Sequence, residues 1–174
     1  MGWFSKRRPD QVATAEELAS LAAHGGGDQR VLTSGRGRGV LVVALEWDLA
    51  VLRDGEWALI GWHEIQHGAW RQESDELVWT LVDGSEDAAE LDEPAEIPTV
   101  FLERVNASIV LQQRLRVPDT SFTVVVAARR ALRPDAPLVW TVQPLGSTRL
   151  DDPRVEAFVV DATARMAEER AAPE

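Results

Sequence analysis

The fold is decided by residues 40–62, VLVVALEWDLAVLRDGEWALIGW, together with residues 75–91, DELVWTLVDGSEDAAEL. In an extended chain Val40, Val42 and Ala44 point one way and Leu41, Val43 and Leu45 the other, so this run predicts a strand buried on both faces. Residues 49–52 continue the strand pattern. Asp54-Gly55 then supplies a two-residue hairpin turn into Trp57, Leu59 and Trp62. Downstream, Leu77, Trp79 and Leu81 alternate with Val78, Thr80 and Val82. Asp83-Gly84 turns that strand into a short acidic one ending at Leu91. Two Asp-Gly hairpins this close together predict an antiparallel meander.

Helices flank the meander. Residues 1–12 read as a loose tail. Thr14 and Glu17 form a capping box, and the helix it opens carries Leu18, Leu21 and Ala22 on one side before stopping at Gly25, Gly26 and Gly27. The run Gly35, Arg36, Gly37, Arg38, Gly39 reads as a loop leading into the buried strand. Pro94 and Pro98 punctuate a second loop. After it Phe101 (or Leu102), Val105 and Ile109 share a helical stripe. Ile109, Leu111, Leu115 and Val117 fit the start of an extended segment equally well. Residues 121–127 and 138–142 read as strands around a turn at 134–137. Asp152-Pro153 provides an N-cap and a first-turn proline for a last helix striped by Val155, Phe158, Val159, Ala162 and Met166.

The class predicted is α+β: an antiparallel meander or open barrel closed by a helix, preceded by an N-terminal helix and followed by a hairpin and a C-terminal helix. The expected layout is a tail and short helix over residues 1–30, a β-core with its closing helix over 31–115, and the added hairpin and helix over 116–174, packed as one domain. A chain of 174 residues with 45% apolar and 27% charged side chains suits that reading.

Charge and cysteine content bound the chemistry. There is no cysteine, which excludes disulfides, thiolate metal sites and a cysteine nucleophile, and fits a reducing compartment. Lys6, Arg7 and Arg8 run into Pro9 and Asp10 where a signal peptide would turn apolar. The longest apolar run, at 40–45, is too short to span a bilayer. A cytoplasmic protein is expected. The formal charge of −11 is concentrated: residues 73–103 hold eleven acids and no lysine or arginine. Such a surface repels phosphate backbones, so nucleic acid is not an expected partner. It reads as a solvated hairpin face or as a docking surface for a basic partner. The alternating acids around a glycine that calcium requires are absent.

Ile60, Trp62, Glu64 and Ile65, set in LIGWHEIQHGAW (59–70), match the W-x-[DE]-I turn of the bacterial branch of the pleckstrin-homology-like fold. The order of hairpins, turn, strands and one amphipathic helix over residues 40–109 resembles that fold as well. The whole chain also resembles uncharacterised conserved proteins of high-GC Gram-positive bacteria. The resemblance implies an open barrel closed by a helix, with Trp62 and Ile65 pointing inward and His63 and His67 on the surface of a turn. It further implies a domain that binds lipids, peptides or proteins without catalysis. It carries no fixed ligand residues.

A second motif overlaps the first. His63, Glu64, Ile65, Gln66, His67 is a literal H-E-x-x-H. On a helix its imidazoles would share a face and chelate zinc, with Glu64 as general base toward the bound water. A hairpin turn shortly before it and glycines at 61 and 68 argue against that helix. The third histidine of the extended motif is replaced by Glu73. Zinc-dependent hydrolysis through His63, Glu64 and His67 is therefore the alternative to a domain with no catalytic residues, metal or cofactor.

Three further features bear on binding. Arg36 and Arg38 among glycines 35, 37 and 39 offer an anion cradle, although the spacing is not the dinucleotide fingerprint. Trp3 and Phe4 beside Lys6, Arg7 and Arg8 suit weak peripheral contact with an anionic membrane. Trp57, Trp62, Trp70 and Trp79 crowd one region, where exposure of Trp62 or Trp70 would mark a binding surface. The expectation is a non-enzymatic interaction domain with a protein partner. A small-anion or lipid binder is a further alternative.

Overall fold

The buried strand can exist only if something covers each of its faces, and the computed structural model, which describes residues 12–171, supplies both covers. The chain divides into two units, residues 1–108 with 131–136, and residues 109–130 with 137–174. The tail expected over residues 1–12 and the expected membrane-contact residues Trp3, Phe4, Lys6, Arg7 and Arg8 lie outside the described residues, Val12 excepted.

In the first unit β1 (Val31–Gly37), β2 (Val40–Leu45), β3 (Asp48–Arg53) and β4 (Glu56–Gly61) form an antiparallel sheet in sequence order. A short 3₁₀ turn, Trp62–Glu64, leads to β5 (Ile65–Arg71), β6 (Glu76–Leu81) and β7 (Glu86–Glu90), a second antiparallel sheet. One face of β2 (Leu41, Val43, Leu45) packs with Leu21 of α1 (Ala15–Leu21), Ala50 and Trp57. The other face (Val40, Val42, Ala44) joins Trp62, Ile65, Leu77, Trp79 and Ala89, with Ile97, Phe101 and Val105 of α2 (Ile97–Ala107). Phe101 is the hub, edge-on to Trp62 at 5.9 Å and tilted against Trp79 at 6.4 Å between ring centroids.

Local chemistry fixes the ends of these elements. Thr14 and Glu17 close the capping box of α1. Gly25, at φ 110°, breaks the wide turn that follows it. Asp54 and Gly55 both have positive φ (50° and 82°), as a type I′ hairpin requires. Pro98 sits in the first turn of α2 and not in the loop before it, where its missing N–H costs nothing.

Of the loop expected over residues 35–39, Gly35, Arg36 and Gly37 belong to strand β1, and only Arg38 and Gly39 form the turn into β2. The glycines are there because another backbone passes flush against β1. A Cβ on Gly37 would overlap the Glu90 carbonyl, and one on Gly35 would lie 3.0 Å from the Pro94 carbonyl oxygen. Arg36 and Glu93 exchange both backbone hydrogen bonds at 2.8 Å, an isolated bridge from β1 to the segment after β7.

The second unit is a three-stranded antiparallel sheet of β8 (Ile109–Arg116), β9 (Thr123–Arg130) and β10 (Leu138–Leu145), followed by α3 (Pro153–Ala171). Val124 and Val126 of β9 pack with Val155 and Met166 of α3. The expected hairpin thus gains a third strand, and Ile109 belongs to that strand and not to the α2 stripe. Ser108 ends α2 by donating its hydroxyl to the Val105 carbonyl at 2.6 Å. Arg129 is buried, and burial pushes its guanidinium pKa down. The fold is α+β with three antiparallel sheets, three α-helices and no closed barrel among the described residues.

Candidate functional site

A bulge decides what β5 shows to solvent. Ile65 pairs with Leu81 and His67 with Thr80, leaving Gln66 as the extra residue and reversing the side-chain alternation. Beyond it Gly68 and Trp70 face the core while His67, Ala69 and Arg71 face outward. Gly68 is needed because a Cβ there would meet the Phe101 ring at 2.5 Å. On β6 the outward residues are Glu76, Val78 and Thr80. On β7 they are Glu86, Ala88 and Glu90.

Register stacks them into three cross-strand rows: His67, Thr80, Glu86; then Ala69, Val78, Ala88; then Arg71, Glu76, Glu90. The middle row is small and apolar, so the face is concave along its centre. A groove of about 660 Å³ is lined there by His67, Ala69, Arg71, Val78, Glu86 and Ala88.

The rim is acidic. Arg71 is held by Glu76 at 2.9 Å, and Arg53 of β3 by Asp87 at 2.8 Å. Arg53 also donates to the Ala88 carbonyl, occupying part of the β7 edge. Glu86 and Glu90 project outward with no ion pair to a described cation.

The passage from turn to strand at Ile65 disperses H-E-x-x-H. His63 and Glu64 sit on the 3₁₀ turn, while His67 is on β5 and not on a turn. The shared helical face that zinc chelation demands is not formed. The Glu64 carboxylate accepts the Gly61 N–H at 2.7 Å. His67 Nε2 lies 3.3 Å from the Thr80 hydroxyl. The His63 ring lies against Gly61, with Nδ1 buried and unpaired. No three His, Asp or Glu side chains converge at metal-binding distance among the described residues. Trp62 and Ile65 are fully buried, and the Trp62 indole donates to the Leu45 carbonyl at 3.1 Å. Trp62 is therefore a core residue. Trp70 packs partly buried against that same core.

Arg36 is already engaged. Its guanidinium donates to the Val12 carbonyl at 3.3 Å and to Glu17 at 2.6 Å. That bond, more than the Thr14 N–H, holds the Glu17 carboxyl below its usual range, and Glu17 raises Arg36 in return. Arg38 is exposed on the β1–β2 turn. Of the two arginines of the expected anion cradle, Arg36 is thus bonded to Glu17 while Arg38 is exposed.

Residue-by-residue reading missed the groove, although its signal was present: Ala69, Val78 and Ala88 are the small residues at the outward positions of successive strands. No helix among the described residues is long and apolar enough to cross a membrane. No protein-family model matches the chain, and no match to it is found among curated proteins or solved structures.

Proposed function

We propose that the chain is a non-enzymatic interaction domain that takes a basic polypeptide segment on the outward face of β5, β6 and β7. One observation carries this: a sheet face left uncovered by the described residues, concave along a row of small apolar residues, and flanked by Glu86 and Glu90, which pair with no described cation. Small floor residues admit an apolar side chain, and Glu86 and Glu90 attract bases on either side of it. Successive rows are two residues apart along each strand, roughly 7 Å. An extended partner laid along the strands would meet the face with alternate side chains, basic, apolar, basic.

The pleckstrin-homology-like reading belongs to the same proposal. Supporting it are the order of four strands, the W-x-E-I turn, three strands and a helix, and the inward Trp62 and Ile65.

The test is fluorescence anisotropy with a labelled peptide of alternating Lys-Ser-Leu-Ser-Lys pattern. Saturable binding that weakens with salt, and falls at least about tenfold in Ala88→Arg and in Glu86→Lys/Glu90→Lys, is expected. Binding that ignores these changes, or no binding at all, overturns the proposal.

A further inference from the structure

Charge is unevenly divided between the two units. The second holds eight arginines and eight acids, so the whole net charge of −11 belongs to the first. In the second unit Arg149 and Arg154 are each paired with an aspartate two residues away, at 2.6 and 2.9 Å. Arg114 and Arg116 of β8 form no ion pair with a described carboxylate.

Register shows where these two arginines stand. Val124 and Val126 of β9 point to α3, so Val125 and Thr123 point to the opposite face of the sheet. Arg114 stands beside Val125 and Gln143 in one cross-strand row of that face, and Arg116 beside Thr123 and Leu145 in the next. Both arginines are exposed, and neither row contains an acid. The Nε–H of Arg116 donates to the Thr120 carbonyl at 3.1 Å, which orders that side chain without neutralising it.

This face is the converse of the one on β5, β6 and β7. There Glu86 and Glu90 stand without a described cation; here two arginines stand without a described acid. We infer that the acidic face takes the β8–β9–β10 face of a second copy of the chain. The inference rests on the docking role proposed above and names a basic partner for it.

The dimensions agree. Glu86 and Glu90 are four residues apart on one strand, roughly 13 Å, and Arg114 and Arg116 two residues apart, roughly 7 Å. Each arginine closes the difference by leaning outward about 3 Å. Their methylene stems then lie over Ala69, Val78 and Ala88, whose small side chains leave room for them, and each guanidinium meets a carboxylate. Because two different patches make the contact, a joined pair still presents one free face of each kind, and association continues past the dimer. Both faces are small against a standard interface of about 1,600 Å², so the contact should be weak and salt-sensitive, with a Kd on the order of 100 μM.

Sedimentation of the full chain, from about 10 μM to about 1 mM, tests this. The average mass should climb with concentration beyond two chains and return to one chain in 1 M salt, where screening acts within about 3 Å. Glu86→Gln/Glu90→Gln and Arg114→Gln/Arg116→Gln should each remain single. Mixed in equal amounts, these two variants should form a one-to-one pair and nothing larger, since one matched pair of faces remains. That gain also shows that both variants are folded. The Lys-Ser-Leu-Ser-Lys peptide should dissolve the natural assembly. A natural chain that stays single throughout overturns the inference, as does association that survives either variant or a mixture that forms no pair. If the peptide binds a chain that stays single, this inference alone fails. If neither the peptide nor a second copy binds, the docking role fails with it.

Discussion

The two sheets of the first unit have the same antiparallel meander construction and opposite fates. The four-stranded sheet is covered twice, by α1 on one side and by the core on the other, and all six residues of β2 are buried. Among the described residues the three-stranded sheet β5–β6–β7 is covered once, and β6 alternates accordingly, with Leu77 and Trp79 buried and Val78 and Thr80 only partly so. Both sheets carry valines and alanines on their outer faces. Whether such a face is core or binding surface depends on what lies against it, and composition alone does not tell them apart.

The most direct way to break this comparison is one substitution made on each outer face. Val43→Asp places a carboxylate under α1 with no partner, and about 4 kcal/mol of destabilisation in urea unfolding is expected. Val78→Asp meets water and should cost about 1 kcal/mol, mostly lost strand preference. Equal costs would mean that the two faces are equally covered.

A smaller effect probes the seam where the sheets meet. Gly37→Ala drives a methyl into the Glu90 backbone, which cannot swing aside as a side chain can. A loss of about 3 kcal/mol is expected, with faster hydrogen exchange of the Arg36 and Glu93 amides. Stability within error of the natural chain would show that the seam is looser than its backbone bonds imply.

The smallest effect concerns the cover itself. Arg36 depresses the Glu17 pKa from its ordinary 4.5. A depressed carboxyl stabilises the fold above its unfolded pKa and loses that contribution as pH falls through its folded one. Glu17→Gln keeps the cap and removes the charge. It should cost about 0.5 kcal/mol at pH 7, since the pair is partly exposed. The difference should shrink to nothing as pH falls below 4.5. A cost independent of pH would mean that the ion pair contributes nothing.

The meander, both Asp-Gly turns, the capping box and the last helix were legible because each is a local pattern. β1 was not, because its glycines answer to a neighbour more than fifty residues away, and a Gly-Arg-Gly-Arg-Gly run has no apolar side chain to alternate with a polar one. Neither could residues 109–116 be resolved into helix or strand, since Ile109 continues the i, i+4 stripe of Phe101 and Val105 and equally opens the alternation that Leu111 and Leu115 continue. At the site the inward Trp62 and Ile65 followed from the W-x-E-I turn. The outward groove did not, because the bulge at Gln66 sets which side of β5 faces solvent, and a bulge is a property of pairing between strands. His63 on the 3₁₀ turn and His67 on β5 are likewise parted by strand pairing, which keeps the chain extended from Ile65 where their spacing suggests a helix.

The Ser34 hydroxyl that receives two backbone amides does more than pin the start of α1. It ties the helix that covers one sheet to β1, the strand whose Arg36 is itself bonded to Glu93 beyond the other sheet. Cover and seam therefore share one strand, and a fault in β1 would loosen both together.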